Sequence, residues 1–228
     1  MGPSDAPVRL FVAGDSHAAQ WLPALEAMAD ANGWRIESYT KSACAFVDAR
    51  LSAGPDRGHY ASCSGWNRNL RELLVERRPD FLLVSQSVTH KSVDVPEGDR
   101  AANFEAIVEG LLSHWRAVQD AGTRVIVLAD TPRLGLDVPE CLSAPGATKA
   151  ACTRDAAPLL ARPDPTVEAA RRLGVPVVSM NDVICPGTTC PPVLDGVLVW
   201  RDSHHVTATF AAEHAAEFNR RVRAATGR

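Results

Sequence analysis

The runs at 8–13 (VRLFVA), 81–85 (FLLVS) and 125–129 (VIVLA) are almost continuously apolar rather than alternating. A strand is apolar on both sides where both its faces are covered, as in a parallel sheet sandwiched between helices. The stretches between these runs carry the 3.6-residue period of amphipathic helices instead. Trp21, Leu22, Leu25, Met28 and Ala29 form one stripe, closed by Gly33. Trp66, Leu70, Leu73 and Leu74 form a second, in a helix predicted from about residue 64 and ended by Pro79. A third helix is predicted over about 100–121, with Phe104, Ile107, Val108, Leu111, Leu112, Trp115 and Val118 on one face. Asp164 and Pro165 read as the N-cap and first residue of a helix ending at Gly174, and a last helix is expected over about 207–224. Further strands at 34–40 and 175–180 bring the strand count to about five. The expected fold class is α/β: a three-layer, doubly wound parallel sheet of about five strands, flavodoxin-like, with helices on both faces. With 228 residues the chain can bury a sizeable core as one domain, taken as 8–228. Residues 1–7 read as an expression scar or linker.

The charge balance excludes some partners. A formal charge of −3 offers no basic footprint for nucleic acid or an anionic membrane surface. No apolar run approaches the ~18 residues of a membrane span.

Cysteine usage points to a compartment. Six cysteines stand at 44, 63, 141, 152, 185 and 190. Six allow 15 pairings; neighbour pairing, Cys44–Cys63, Cys141–Cys152 and Cys185–Cys190, is expected because each bridge then closes a short loop rich in Gly, Pro, Ser or Ala. The alternatives are six buried free thiols or a zinc site, and no C-x-x-C or H-x₃-H spacing favours the latter. Disulfides imply an oxidising compartment.

The chemistry-bearing residues gather where such a sheet puts its ligands, beyond the carboxyl ends of the strands. Gly14-Asp15-Ser16-His17 directly follows the first strand, and a serine on a strand-to-helix turn presents its hydroxyl at the sheet edge. Lys41-Ser42, Gln86-Ser87, Asp130-Thr131 and Asn181-Asp182 follow the next four strands. Near the other end, Asp202-Ser203-His204-His205 supplies a carboxylate and an imidazole three residues apart. Ser16, Asp202 and His205 are therefore the candidate nucleophile, orienting acid and base of a triad in the chain order Ser, Asp, His. The rival reading of Ser16 is the N-cap of its helix. His204 is kept as a wall or substrate contact, and Asp15 reads as structural, bonding the N–H groups of its turn. His17, His59, His90, His114 and His214 have no partner at a telling spacing and read as core or surface residues, His17 on the cleft rim. Trp200 and Lys41 are candidate substrate contacts. Trp21, Trp66 and Trp115 fall on helical stripes and read as core. No phosphate loop, dinucleotide motif or metal-ligand cluster is present, so no cofactor is expected.

Gly14-Asp15-Ser16-His17-Ala18, Lys41-Ser42-Ala43-Cys44, Cys63 with Trp66, Asp130-Thr131-Pro132, Cys185 with Cys190, and Arg201-Asp202-Ser203-His204-His205-Val206-Thr207 together resemble the SGNH (GDSL-like) hydrolase family. The closer likeness is to the extracytoplasmic SGNH domain fused to membrane acyltransferase-3 proteins, and it runs from about Val8 to about Val222. The resemblance implies an O-acyltransferase, acetyl by default, acting on a cell-envelope glycan through an acyl-serine. It further implies an acyl donor passed from an acyltransferase-3 membrane domain, an extracytoplasmic location tethered to the membrane, and a monomeric domain. A carbohydrate esterase with the same triad, or a catalytically weak glycan-binding module, are the alternatives. The chain departs from the wider family in its oxyanion donors. Ser42-Ala43 replaces the expected glycine, and Ser85-Gln86-Ser87-Val88-Thr89 replaces G-x-N-D. The expected donors are the N–H groups of Ser16 and of Ser42 or Ala43, with Gln86 or Ser87 as side-chain candidates. Losing one such donor costs ~10²–10³ in rate.

Overall fold

The computed structural model describes residues 1–54 and 58–228. Its centre is a five-stranded, all-parallel sheet. β1 (Arg9–Gly14) lies between β2 (Arg35–Thr40) and β3 (Phe81–Ser85), β4 (Arg124–Leu128) follows β3, and Val177–Val178 forms the far edge. Strands are added on one side of β1 and then on the other, so the strand order reverses between β1 and β3. Doubly wound sheets open a ligand crevice at such a reversal.

The two-residue period of a strand divides the core in two. Leu10 and Val12 of β1, Phe81 and Leu83 of β3, and Ile126 and Leu128 of β4 face one layer, built on α2 (Leu22–Asn32) and the C-terminal helix Ala215–Thr226. Phe11, Ala13, Leu82, Val84, Val125 and Val127 face the other, built on α3 (Ala61–Arg77), α4 (Arg100–Asp120) and the helix Pro165–Leu173. Trp21 and Trp115 are fully buried, one in each layer; Trp66 is half-buried and meets Phe46 edge-on. Three layers follow because the interior residues of β1, β3 and β4 are apolar on whichever face they turn.

Several boundaries differ from expectation. The first helical stretch is two helices, α1 (Ser16–Ala19) and α2, because Pro23 has no N–H to give the carbonyl of Ala19. α3 begins at Ala61 rather than near 64, and the Ser64 hydroxyl bonds the His59 ring (2.8 Å) instead of capping. The edge strand is two residues long, not six. Pro176 cannot donate, and the chain turns at Ser179, whose hydroxyl accepts from the N–H of Asn181. The last helix is interrupted at His214. Met1 exchanges backbone hydrogen bonds with Ile36 (3.0 Å each), so the start of residues 1–7 lies along the β2 edge.

The six cysteines are paired as neighbours, Cys44–Cys63, Cys141–Cys152 and Cys185–Cys190. Non-reducing mass spectrometry should show six hydrogens fewer than the reduced chain. Cys44–Cys63 spans 19 residues, and closing a loop of that size in the unfolded chain removes about 3 kcal/mol of its entropy. The double substitution Cys44→Ala/Cys63→Ala should therefore lower Tm by about 6–12 °C, measured by thermal unfolding of the oxidised proteins. An unchanged Tm would show the bridge to be idle.

Candidate active site

The turn after β1 is built to hold Ser16 clear of structural duty. Gly14 takes φ 149°, where a side chain is strained, and a Cβ there would lie 1.7 Å from the Ser85 carbonyl oxygen. Asp15, not Ser16, caps α1. Its Oδ1 accepts from the His17 N–H (2.8 Å), and its Oδ2 accepts from the Ser87 N–H (3.0 Å) and faces the His90 ring at 2.6 Å. Burial works against the Asp15 charge, but the His90 hydrogen bond and charge, helped by His17, outweigh it and hold its pKa below the ordinary value. Ser16 is thus left at the first helical position with its hydroxyl free.

The opposing residues sit at the tip of a hairpin. Trp200 pairs with Val206, and the Arg201 N–H donates to the His205 carbonyl (2.9 Å), closing the loop 201–205. Gln20 pins this loop to α1: its side chain accepts from the Val206 N–H (2.8 Å) and donates to the His17 carbonyl (2.9 Å). Asp202 Oδ1 accepts from the N–H groups of His204 and His205, both at 2.8 Å, and its Oδ2 meets His205 Nδ1 at 2.7 Å. His205 Nε2 in turn lies 2.8 Å from Ser16 Oγ. Burial pushes Asp202 up, but its bonds to the two backbone N–H groups and to the imidazole together hold it far below the usual carboxylate range. Burial lowers His205, with Asp202 only partly restoring it, so the imidazole is neutral at neutral pH. With Nδ1–H engaged by a carboxylate, the Nε2 lone pair faces the serine hydroxyl.

A second histidine–carboxylate pair stands beside the first, and sequence reasoning missed it. His17 is 1% exposed; its Nδ1 bonds Asp130 Oδ1, and its Nε2 lies 3.0 Å from His204 Nδ1. The His17 and His204 rings are stacked 5.1 Å apart. His204, which burial and the neighbouring Arg133 charge lower to about 4, is held in place by Thr131, whose hydroxyl donates to its carbonyl (2.9 Å). The partner of His17 is 113 residues away, so spacing cannot reveal it. The available signal was that Asp130 lies just past the end of a strand, on the same rim as Ser16. No metal-ligand spacing runs along the chain, but the fold brings one ring nitrogen each of His17, His204 and His205 within 4.8 Å of one another.

The remaining candidates disperse. Trp200 is fully buried, with its indole N–H given to the Pro191 carbonyl (3.1 Å), so it belongs to the core and not to a substrate surface. Gln86 is buried, and its amide is spent on the Phe46 N–H (3.0 Å) and the Thr166 hydroxyl (3.4 Å). Ser87 gives its N–H to Asp15, and its hydroxyl meets Thr89 (2.8 Å) and Arg133 (3.3 Å). The Lys41 ammonium lies 5.3 Å above the Tyr60 ring. Ser42 is exposed, and Ala43 holds φ 53°, a left-handed conformation that glycine adopts without strain. The N–H groups of Ser16, Ser42 and Ala43 have no acceptor among the described residues. Next to Asp130 and Thr131, a cleft of about 360 Å³ is lined by Arg133, Arg162, Leu159 and Asn181.

A parallel sheet with a Ser–His–Asp hydrogen-bonded chain past its strand ends is the layout of serine-type hydrolases and acyltransferases. The chain belongs to the SGNH domain family (fused to AT3 domains), whose model matches residues 1–220. No curated protein sequence matches it significantly. Among solved structures it is similar to the periplasmic domain of a lipopolysaccharide acetyltransferase from Salmonella ser. Paratyphi A: TM-score 0.71, 14% identity, covering 94% of this chain and 83% of that one. TesA gives 0.52 at 14% identity over 95% and 97%, and a YxiM protein of Bacillus subtilis gives 0.53 at 12% over 97% and 58%. At these identities the likeness shows the fold. The three disulfides fit an extracytoplasmic domain. Among the described residues, no helix is long and apolar enough to cross a membrane.

Proposed function

We propose that this domain transfers an acyl group, acetyl by default, to a hydroxyl of a cell-envelope glycan. The observation that carries the reading is the continuous chain Asp202–His205–Ser16, with both links at hydrogen-bonding distance. Ser16 Oγ attacks the acyl carbonyl while its proton passes to His205 Nε2, and Asp202 stabilises the imidazolium. The tetrahedral oxyanion is met by the N–H of Ser16 and one from Ser42 or Ala43. On collapse, the leaving group takes the proton from His205 and an acyl-serine remains. A sugar hydroxyl then attacks, losing its proton to His205, and Ser16 recovers that proton as the acyl ester departs. Membership in a family fused to AT3 domains supports a membrane partner that delivers the acyl group and tethers the domain outside the cytoplasm. The lipopolysaccharide acetyltransferase likeness supports a glycan acceptor.

The test offers the purified domain an acetyl donor and a panel of envelope glycans, and reads product mass. Acetylated glycan is the expected product. Hydrolysis alone with every glycan turns the reading to an esterase, and neither reaction with a folded protein turns it to a binding module.

The pH profile is a second check. His205 must be neutral to accept the proton, so kcat/KM rises as it deprotonates. Burial sets its pKa below the ordinary 6.5, so the acid limb should have its midpoint below 6.5 and activity should be level above it. Because Asp202 pulls that pKa upward, Asp202→Asn should shift the limb to still lower pH while lowering the plateau. A limb midpoint above 6.5 would contradict the assignment.

A further inference from the structure

His17 is more elaborately placed than a cleft-rim residue needs to be. A carboxylate only accepts, so Asp130 accepts the hydrogen bond of His17 Nδ1–H, and in the neutral ring the lone pair is the one on Nε2. Asp202 does the same for His205. Two imidazoles, each oriented from behind by a carboxylate, thus stand side by side, His17 Nε2 against His204 Nδ1 and His205 Nε2 against Ser16 Oγ, and one ring nitrogen from each of the three histidines lies within 4.8 Å of the others. Carboxylate–histidine pairs of this kind are the usual second layer of zinc sites, where they set the tautomer and raise ligand basicity. Tetrahedral Zn–N bonds of about 2.0–2.1 Å place ligand nitrogens about 3.4 Å apart. The three histidines already lie within 4.8 Å of one another, and the His17–His204 pair stands at 3.0 Å.

We propose that His17, His204 and His205 form a binding site for one divalent transition ion of the zinc type, and that its occupation shuts off the reaction by taking the lone pair of His205. The binding rests on geometry alone, whereas the inhibition also rests on the proposed role of His205. The ion takes one lone pair from each of three neutral imidazoles; a proton lying between His17 Nε2 and His204 Nδ1 moves to the far nitrogen of His204 through solvent or is released to it. The fourth position falls to water or the Ser16 hydroxyl. Three imidazoles suit zinc, copper or nickel; magnesium and calcium prefer oxygen ligands and are excluded by the donor set.

Binding is measured by isothermal titration of zinc chloride into Ser16→Ala protein, which keeps all three histidines and whose reading needs no activity. Saturation at one zinc per chain is expected, with no heat of binding from magnesium. His204→Phe keeps the stacked ring, removes the nitrogen and should weaken binding about tenfold or more; Asp130→Asn should weaken it by about 10–100-fold. His17→Gln should act like His204→Phe, but His17 is buried, so half-exposed His204 supplies the variant least coupled to folding. His59→Ala, on the surface, should leave the affinity unchanged. Zinc should inhibit hydrolysis of an activated acetyl ester by wild-type protein, a chelator should reverse this, and His204→Phe should blunt it. Absence of saturable zinc binding, or binding equally tight in His204→Phe, overturns the site. Binding without inhibition of an active enzyme overturns the regulatory half, and a wild type with no hydrolysis to inhibit counts against the triad reading while the titration stands.

Discussion

Ser16→Ala is expected to lower hydrolysis of an activated acetyl ester by about 10⁴-fold or more while leaving the fold intact. Triad members act as a unit, and removing the nucleophile in comparable enzymes leaves only the residual rate due to oxyanion donors and substrate binding. The protein should tolerate the change because Asp15 performs the helix cap and the Ser16 hydroxyl bonds only His205 among the described residues. Thermal stability should then stay within about 0.5 kcal/mol of wild type, as for a substitution outside any structural network. His205→Ala should cost a similar factor, and the double variant no more than either single one. Activity that survives in Ser16→Ala would remove the triad, and additive losses in the double variant would show that the two residues do not act together. Initial rates at saturating ester, with Tm measured in parallel, separate a lost nucleophile from a lost fold.

Gly14→Ala should be the most damaging single methyl in the molecule. Its Cβ would lie 1.7 Å from the Ser85 carbonyl oxygen and 2.9 Å from the carbonyl carbon, and both belong to backbone that cannot swing aside. Gly14 is paired with Ser85 across β1 and β3 and with Thr40 across β1 and β2, so relief would require breaking register on both sides of the central strand. Strain at φ 149° adds to the clash. A loss above about 4 kcal/mol is expected, which for a domain of this size is a Tm lowered by about 8–16 °C, or a protein recovered only in inclusion bodies. Gly33→Ala is the control. It sits at φ 63° with nothing within 4 Å of the added methyl, so only the ~1–2 kcal/mol of a left-handed residue is lost. Chemical denaturation of both variants checks the contrast; a Gly14→Ala protein with wild-type stability would refute this account of the turn.

Much of this molecule was legible as pattern. β1, β3 and β4 announce themselves by apolar continuity, because a strand covered on both faces has no polar side to interrupt it. Gly14 through Ser16 and Asp202 through His205 were legible because each is a local arrangement: a strand-to-helix turn, and an acid three residues before its base. The neighbour pairing of the cysteines is local for the same reason. Boundaries were less legible where one residue overrides a period, as Pro23 does in dividing the first helix and Pro176 in shortening the edge strand. Trp200 was misread because proximity in sequence to Asp202 does not say which way a hairpin turns its indole, and here it turns inward to Pro191. Gln86 was misread likewise, since an amide past a strand end serves substrate or scaffold according to whether Phe46 and Thr166 reach it first. His17 shows the limit most plainly. Its carboxylate lies 113 residues away and its neighbouring imidazole 187 residues away. Local chemistry is written in spacings that a chain carries before it folds; the meeting of His17, Asp130, His204 and His205 exists only once the parallel sheet has brought its strand ends to one rim.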